Sequence, residues 1–151
     1  MECPNPNVIR TSPELKRILD SLDEGHVVIG IVPSERYGDY VLVESFRSKL
    51  CGHIPSSVES YYSFGEERIR VTITEFPNIK EARSALLSAS SWFFSPMVKN
   101  AIVSKETGDA MLRNDRMIMF VRHNVTVQIS SMNAQDLHTD MAKEIDSQIM
   151  G

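Results

Sequence analysis

Two segments of this 151-residue chain alternate between apolar and polar side chains, and this period of two constrains the fold more than any other feature. The segments are residues 68–76 and 125–131, and their apolar positions are Ile69, Val71, Ile73, Val125, Val127 and Ile129. Because successive side chains of a strand point to opposite faces, each segment predicts a strand with one buried and one wet face. Doubly wound parallel sheets need strands that are apolar on both faces, so the alternation favours an antiparallel-dominated sheet.

The rest of the chain supplies further strands and helices. Helices are predicted over residues 13–24, 79–91 and 134–150, with Ser12 and Asn78 as capping residues of the first two. Strands are predicted over residues 26–32, 40–46, 110–113 and 116–122, while residues 101–104 are left open between strand and loop. The first two of these strands are expected to form a hairpin in which Val41 and Val43 face inward.

These elements predict an α+β fold in one globular domain over residues 1–151, with residues 1–11 as an extended tail. We expect a single antiparallel-dominated sheet of five or six strands with two or three helices packed on one face. The alternation assigns four residues of the two segments to the core and three to the wet face. The core residues are Val71, Ile73, Val127 and Ile129, and the wet-face residues are Thr72, Thr74 and Gln128.

Composition and motifs exclude several classes of protein. With 16 basic and 20 acidic residues and a pI near 5.6, the chain lacks the basic patch expected of a nucleic-acid-binding protein. No apolar run approaches the roughly 18 residues that a membrane-spanning helix needs. The scattered glycines form no phosphate-binding loop, and the four histidines lack metal-ligand spacing. We therefore expect no nucleic-acid partner, no membrane span, no cofactor and no metal.

Two cysteines leave the redox state open. Cys3 and Cys51 match no zinc or thioredoxin-like spacing, and unpaired thiols are the simpler interpretation. A Cys3–Cys51 disulfide is the alternative, and it requires an oxidising compartment. The first ten residues are too polar for a signal peptide, which also fits a mature domain whose leader has been removed.

The long segment over residues 47–66 is predicted to be a loop, because five serines, a glycine and a proline interrupt any period. A short strand or a single turn near residues 57–63 is left open within it. Long loops in compact domains often carry function. We therefore expect a ligand or partner to contact Tyr61, Tyr62 or Phe64, with His53 as the nearest titratable group. The competing interpretation is that Tyr61 and Phe64 close the edge of the sheet.

Three other features have both a functional and a structural interpretation. Trp92, Phe93 and Phe94 could line an apolar groove or fill the core. A polar face for a ligand or a second subunit, or else a merely solvated face, is expected at Arg70, Thr72, Gln128 and Arg122. Asn124 begins a glycosylation sequon, which has meaning only in a secreted eukaryotic protein.

No catalytic constellation can be assembled from these motifs, so a non-catalytic domain that binds an unknown protein or small molecule is the first hypothesis. The first alternative is a small enzyme whose site is assembled from dispersed residues. Its candidates are Cys51, His53, Arg122 and His123. The second alternative is a structural domain that acts through self-association as a homo-oligomer.

The C-terminal stretch resembles a group of known sequences. Two short motifs carry the likeness, namely Phe120-Val121-Arg122-His123-Asn124-Val125-Thr126-Val127 and Met141-Ala142-Lys143-Glu144-Ile145-Asp146. This is similar to the end of uncharacterised bacterial extracytoplasmic α+β domains, where an FVR-x-N-V-x-V hairpin precedes an LA-x-x-ID helix. Met141 replaces the leucine of that pattern, and the likeness covers about 35 residues, with a motif that is mostly core pattern plus one turn. The resemblance implies a cell-envelope or secreted location and a binding role, and it assigns no functional residue.

Overall fold

The computed structural model describes residues 12–23, 25, 27–28, 31–49, 56–93, 101–131 and 139–150. Within these residues eight strands form one antiparallel sheet, accompanied by three helices, which confirms the α+β class. The helices are α1 (Pro13–Asp20), α2 (Ile79–Phe93) and α3 (Thr139–Met150). The strands are β1 (Arg36–Tyr37), β2 (Tyr40–Lys49), β3 (Ser56–Phe64), β4 (Glu67–Glu75), β5 (Ile102–Ser104), β6 (Ala110–Arg113), β7 (Met117–Arg122) and β8 (Val125–Ser131).

The sheet consists of two meanders joined at one seam. The strand order is β1-β2-β3-β4-β8-β7-β6-β5, so only the pairing of β4 with β8 joins strands distant in sequence. The two alternating segments are therefore neighbours, with Val71 opposite Ile129 and Ile73 opposite Val127. All four side chains are buried, as the alternation predicts. Thr72 and Gln128 are partly exposed, whereas Thr74 is buried, contrary to expectation.

Helices cover both faces of the sheet, so the prediction of helices on one face is wrong. Alternate residues of β7 belong to two separate cores, because successive side chains of a strand point to opposite faces. Ile118 and Phe120 share a core with α3 residues such as Ile145. Met119 and Val121 share the other core with the apolar faces of α1 and α2. The sequences of β4 and β8 do not predict helices on the second face of the sheet, because the residues of β4 and β8 on that face are polar.

The sheet has eight strands rather than five or six because it also contains β1, β3 and the short β5. Of these, β3 lies within the predicted loop over residues 47–66. β2 continues to Lys49, and β3 occupies residues 56–64; residues 50–55 lie outside the described part. In β3 the buried positions include Ser57 and Ser60, and the Ser60 hydroxyl lies 3.0 Å from that of Ser45. A serine can occupy a buried position when its hydroxyl has a hydrogen-bond partner. The alternation of apolar and polar residues, on which strand prediction depends, is then absent from the sequence.

The inward positions of β2 also differ from the prediction. Val41 and Val43 are exposed, while Tyr40 is buried and Leu42 packs against the core on the α3 side. A register shift between Leu42 and Glu44 interrupts the pairing of β2 with β3. Such a bulge changes which side chains face the core, and no hydrophobic pattern reveals it.

The apolar run over residues 26–32 forms no strand at its described residues 27–28 and 31–32. A buried side chain fixes this segment instead. Asn124 accepts a hydrogen bond from the Val28 amide (2.6 Å) and donates to the carbonyl oxygens of Val28 (2.9 Å) and Phe76 (2.8 Å). Glu75 likewise accepts a bond from the Ile31 amide at 2.6 Å. A glycan on the Asn124 nitrogen is incompatible with these contacts, so the sequon is a structural feature of the fold.

The predicted capping residues are confirmed. The Ser12 hydroxyl accepts a hydrogen bond from the Leu15 amide at 3.3 Å, and Asn78 accepts one from the Glu81 amide at 2.8 Å. Among the described residues no helix is long and apolar enough to cross a membrane.

The substitution Asn124→Ala should lower the free energy of unfolding by roughly 2–4 kcal/mol, because it leaves three backbone groups without a partner. Urea denaturation measures the change. The control is Asn78→Ala, which removes a single exposed capping bond and should cost about 1 kcal/mol. Equal losses in the two variants would contradict the anchoring role of Asn124.

Candidate functional site

The structure separates the residues predicted to form a site. His53, Cys3 and Cys51 lie outside the described residues. Tyr61, Tyr62 and Phe64 belong to β3, where Tyr61 and Tyr62 point to opposite faces of the sheet. Tyr61 and Tyr62 therefore cannot contact one ligand together. The expectation of a loop is wrong over residues 56–64, which form β3, while the expectation that one of these side chains contacts a ligand stays a prediction.

Tyr62 is a core residue. Its side chain is fully buried, its hydroxyl donates a hydrogen bond of 2.6 Å to the Ser34 carbonyl, and its ring lies 5.1 Å from that of Tyr37. Burial, with a further contribution from Tyr37, raises the pKa of the Tyr62 phenol well above its ordinary value. Tyr61 instead lies on the other face, where its ring meets that of Phe46 at 6.2 Å.

Phe64 borders a cleft of about 350 Å³, which we call the acidic cleft. The cleft lies between the β1–β2 turn, the β3–β4 turn and the first turns of α3. Its lining residues are Tyr37, Gly38, Asp39, Tyr40, Phe64, Glu67, Thr139, Asp140, Met141 and Glu144. Pockets of this size that combine aromatic walls with converging polar groups are the usual form of a binding site.

Two tight turns bring one wall of the cleft together. Gly38 has a φ of 58° and Gly65 a φ of 61°, a conformation that favours glycine and allows both hairpins to close. The second hairpin places Glu67 directly opposite Phe64. Tyr40 joins the two turns, because its hydroxyl donates a hydrogen bond to Glu67 and its ring lies 5.7 Å from that of Phe64.

Helix α3 forms the opposite wall. Asp140 and Glu144 are four residues apart and therefore lie on the same side of the helix. Both are exposed, while Met141 between them is buried and holds the helix against the sheet. The first turns of α3 thus present carboxylates to the solvent side of the cleft.

The charge of the acidic cleft is strongly one-sided. Among the described lining residues four carry carboxylates, namely Asp39, Glu67, Asp140 and Glu144, and none is a lysine, arginine or histidine. A ligand cation is therefore attracted by several carboxylates and repelled by none of these described side chains. Across the described part of the chain, no group of three or more acidic, histidine or cysteine side chains could hold a metal ion.

Arg122 and His123, candidates of the enzyme alternative, lie at a second cavity of about 290 Å³. The Arg122 guanidinium donates to Asp146 from Nε at 2.8 Å and from Nη2 at 2.9 Å, and to Asp109 from Nη1 at 3.1 Å. The hydrogen bond to Asp146 raises the pKa of Arg122 further. All three nitrogens are engaged, so Arg122 ties β7 to α3 and to the loop before β6.

The carboxylates of Asp109 and Asp146, which with Arg122 form the Arg122 cluster, also accept hydrogen bonds from backbone amides. The Gly108 amide donates to Asp146 at 2.9 Å, and the His123 amide donates to Asp109 at 2.9 Å. His123 has a φ of 56°, an uncommon conformation that histidine tolerates better than most residues. The hydrogen bonds of Asp109, Arg122 and Asp146 therefore join three parts of the fold.

The other predicted surfaces are divided in the same way. Arg70, Thr72 and Gln128 lie on one face, with Thr72 opposite Gln128, but Arg122 points to the α3 side of the sheet. Arg70 forms an exposed ion pair with Glu59 at 3.5 Å. Phe93 is fully buried, as the core interpretation predicts, whereas Phe94 and the side chain of Trp92 lie outside the described part.

Sequence reasoning named Phe64 but missed the acidic residues of the acidic cleft. Their one detectable signal is the position of acids beside aromatic residues at turns, as in Asp39-Tyr40. The distance in sequence between these positions and Asp140 hides their proximity.

No protein-family model matches this chain, and no curated protein or solved structure is significantly similar to it.

The substitution Arg122→Ala should lower the free energy of unfolding by roughly 2–4 kcal/mol, because it leaves Asp146 buried without its cation. Arg70→Ala is the matched control, since its partner Glu59 is partly exposed and not buried, and it should cost less than about 1 kcal/mol. Thermal and urea unfolding of both variants measure the difference. If Arg122→Ala is as stable as the control, the cluster does not hold the fold together.

Proposed function

We propose that this chain is a non-catalytic binding domain that recognises a cationic group, an amine or a guanidinium, in the acidic cleft. One observation carries the proposal, namely the convergence of four carboxylates and an aromatic wall around a concave space whose described lining residues include no base. The ligand class includes a basic small molecule and a lysine or arginine side chain of a protein partner, because both present the same cation.

The carboxylates supply attraction over a distance. Asp39, Asp140 and Glu144 are exposed, so each interacts with a cation through water and contributes only about 1 kcal/mol at contact. Several such contributions act in the same direction, and salt weakens them. We therefore expect an affinity in the range of about 10 μM to 1 mM at low ionic strength.

The aromatic wall supplies direction. Phe64 is half-exposed, and its tilted contact with Tyr40 leaves part of its ring available to a ligand. A cation over an exposed aromatic face gains roughly 0.5–1 kcal/mol. Tyr40 is itself fixed by Glu67, so this wall is organised before a ligand arrives.

The proposal favours binding over catalysis. Thr139 is the one aliphatic hydroxyl that lines the acidic cleft, and neither a histidine nor a cysteine accompanies it there. The resemblance of residues 119–146 to extracytoplasmic domains extends the proposal to location, and we propose the cell envelope or a secreted state.

The test is titration with acetylated tetralysine and tetraarginine amides, followed by amide chemical shifts in NMR spectra. The shifts of Gly38, Asp39, Glu67 and Asp140 should respond, and a tetraglutamate peptide should produce no response. The double variant Asp140→Asn/Glu144→Gln should weaken binding roughly tenfold, which corresponds to about 1.4 kcal/mol. Phe64→Leu should weaken it roughly two- to fivefold through loss of the aromatic face.

The control has the same net charge as the cleft variant. Glu81→Gln/Glu106→Gln removes two exposed carboxylates that do not line the acidic cleft, and it should bind as the wild type does. If neither basic peptide binds, or if both double variants lose affinity equally, the cleft is not the binding site and the proposal fails.

A further inference from the structure

Strand β2 has an open outer edge. β1 pairs only with Tyr40 and Val41, and the Leu42 amide donates to the Glu35 carbonyl at 2.8 Å. Beyond this point, over residues 43–49, no strand in the described part of the chain lies beside the outer edge of β2. An open edge presents backbone N–H and C=O groups that an added strand can pair.

Apolar side chains accompany the open edge. Val43 is 54% exposed and Phe46 is 50% exposed, and both lie on β2 within the open stretch. Glu44 and Arg47 are its charged members with described side chains, and both are exposed. Natural edges are usually protected by charges or bulges, and here the bulge lies at the start of the stretch, before Glu44.

The antiparallel register centred on Phe46 opposes no two like charges and pairs two aromatic rings. Two copies that pair antiparallel over all of residues 43–49 cross at Phe46, so the two Phe46 rings meet at the two-fold axis. Glu44 then lies opposite Ser48, and Ser45 opposite Arg47. A shift of the axis to residue 44 or 47 would oppose two glutamates or two arginines, which is unfavourable.

We infer that a second copy of this chain pairs with the open edge of β2, antiparallel and about a two-fold axis at Phe46. The two sheets then become one continuous sheet across the dimer. Tyr61 lies beside Phe46 on the same face, so the pairing brings two aromatic pairs together at the axis. This inference is independent of the proposed function, because neither Phe46 nor Tyr61 lines the acidic cleft.

The test combines sedimentation equilibrium with a matched pair of valine substitutions. The wild type should dimerise in the micromolar range, and Val43→Lys should raise its dissociation constant at least about tenfold. Val32→Lys is the control, since Val32 is 67% exposed but lies outside β2, and it should dimerise as the wild type does. A monomeric wild type at about 200 μM, or equal behaviour of the two variants, would overturn the inference.

A photo-crosslinking residue tests the register. The variant carries p-benzoylphenylalanine in place of Phe46, and irradiation should link residue 46 to residues 44–48 of the second copy. Mass spectrometry of a mixed sample of isotope-labelled and unlabelled chains distinguishes links between copies from links within one chain. A link to β3 of the same chain is expected in either case, because Tyr61 lies beside residue 46, whereas a link within one chain to any other segment would show that this segment covers the edge. A link between copies at a distant strand would show a different interface, and either result would refute the proposed pairing.

Discussion

The antiparallel pairing of β4 with β8 is the interaction on which the rest of the structure depends. It joins a meander of the first four strands to a meander of the last four, and it is the only strand pairing between them. Its register sets Val71 against Ile129 and Ile73 against Val127, which builds the floor beneath α3. A slip of one residue would turn these apolar side chains to the polar face, so the hydrophobic core fixes the register.

Helix α3 packs on this part of the sheet and contributes residues to both charged sites, the Arg122 cluster and the acidic cleft. The helix packs on the sheet through the buried residues Ile145 and Ile149. Its acidic residues lie to either side of this apolar contact. Asp146 reaches Arg122 of β7, while Asp140 and Glu144 reach the hairpin turns of the first meander. The fold-stabilising cluster and the acidic cleft therefore share one support, although they differ in chemistry.

Several elements could be predicted and others could not, for identifiable reasons. The helices and strands with a clear period were found within a few residues, because burial of one face imposes that period. The strand β3 was left open within a predicted loop, since Ser57 and Ser60 occupy buried positions where strand prediction expects apolar residues. The run over residues 26–32 was misassigned, because Asn124 satisfies its backbone from a distant hairpin.

The sequence by itself determined the fold class, the alternating central strands and the helix caps, because each depends on local period or local hydrogen bonding. Only the tertiary structure decided which faces the helices cover and which acids meet. The four carboxylates of the acidic cleft come from a turn, a strand start and a helix far apart in the chain. These carboxylates converge because of the strand order and because of the position at which α3 packs on the sheet. Neither can be predicted from a local sequence pattern. The three aromatic residues of β3 were similarly adjacent in sequence, yet the pleat directs Tyr61 and Tyr62 to opposite faces.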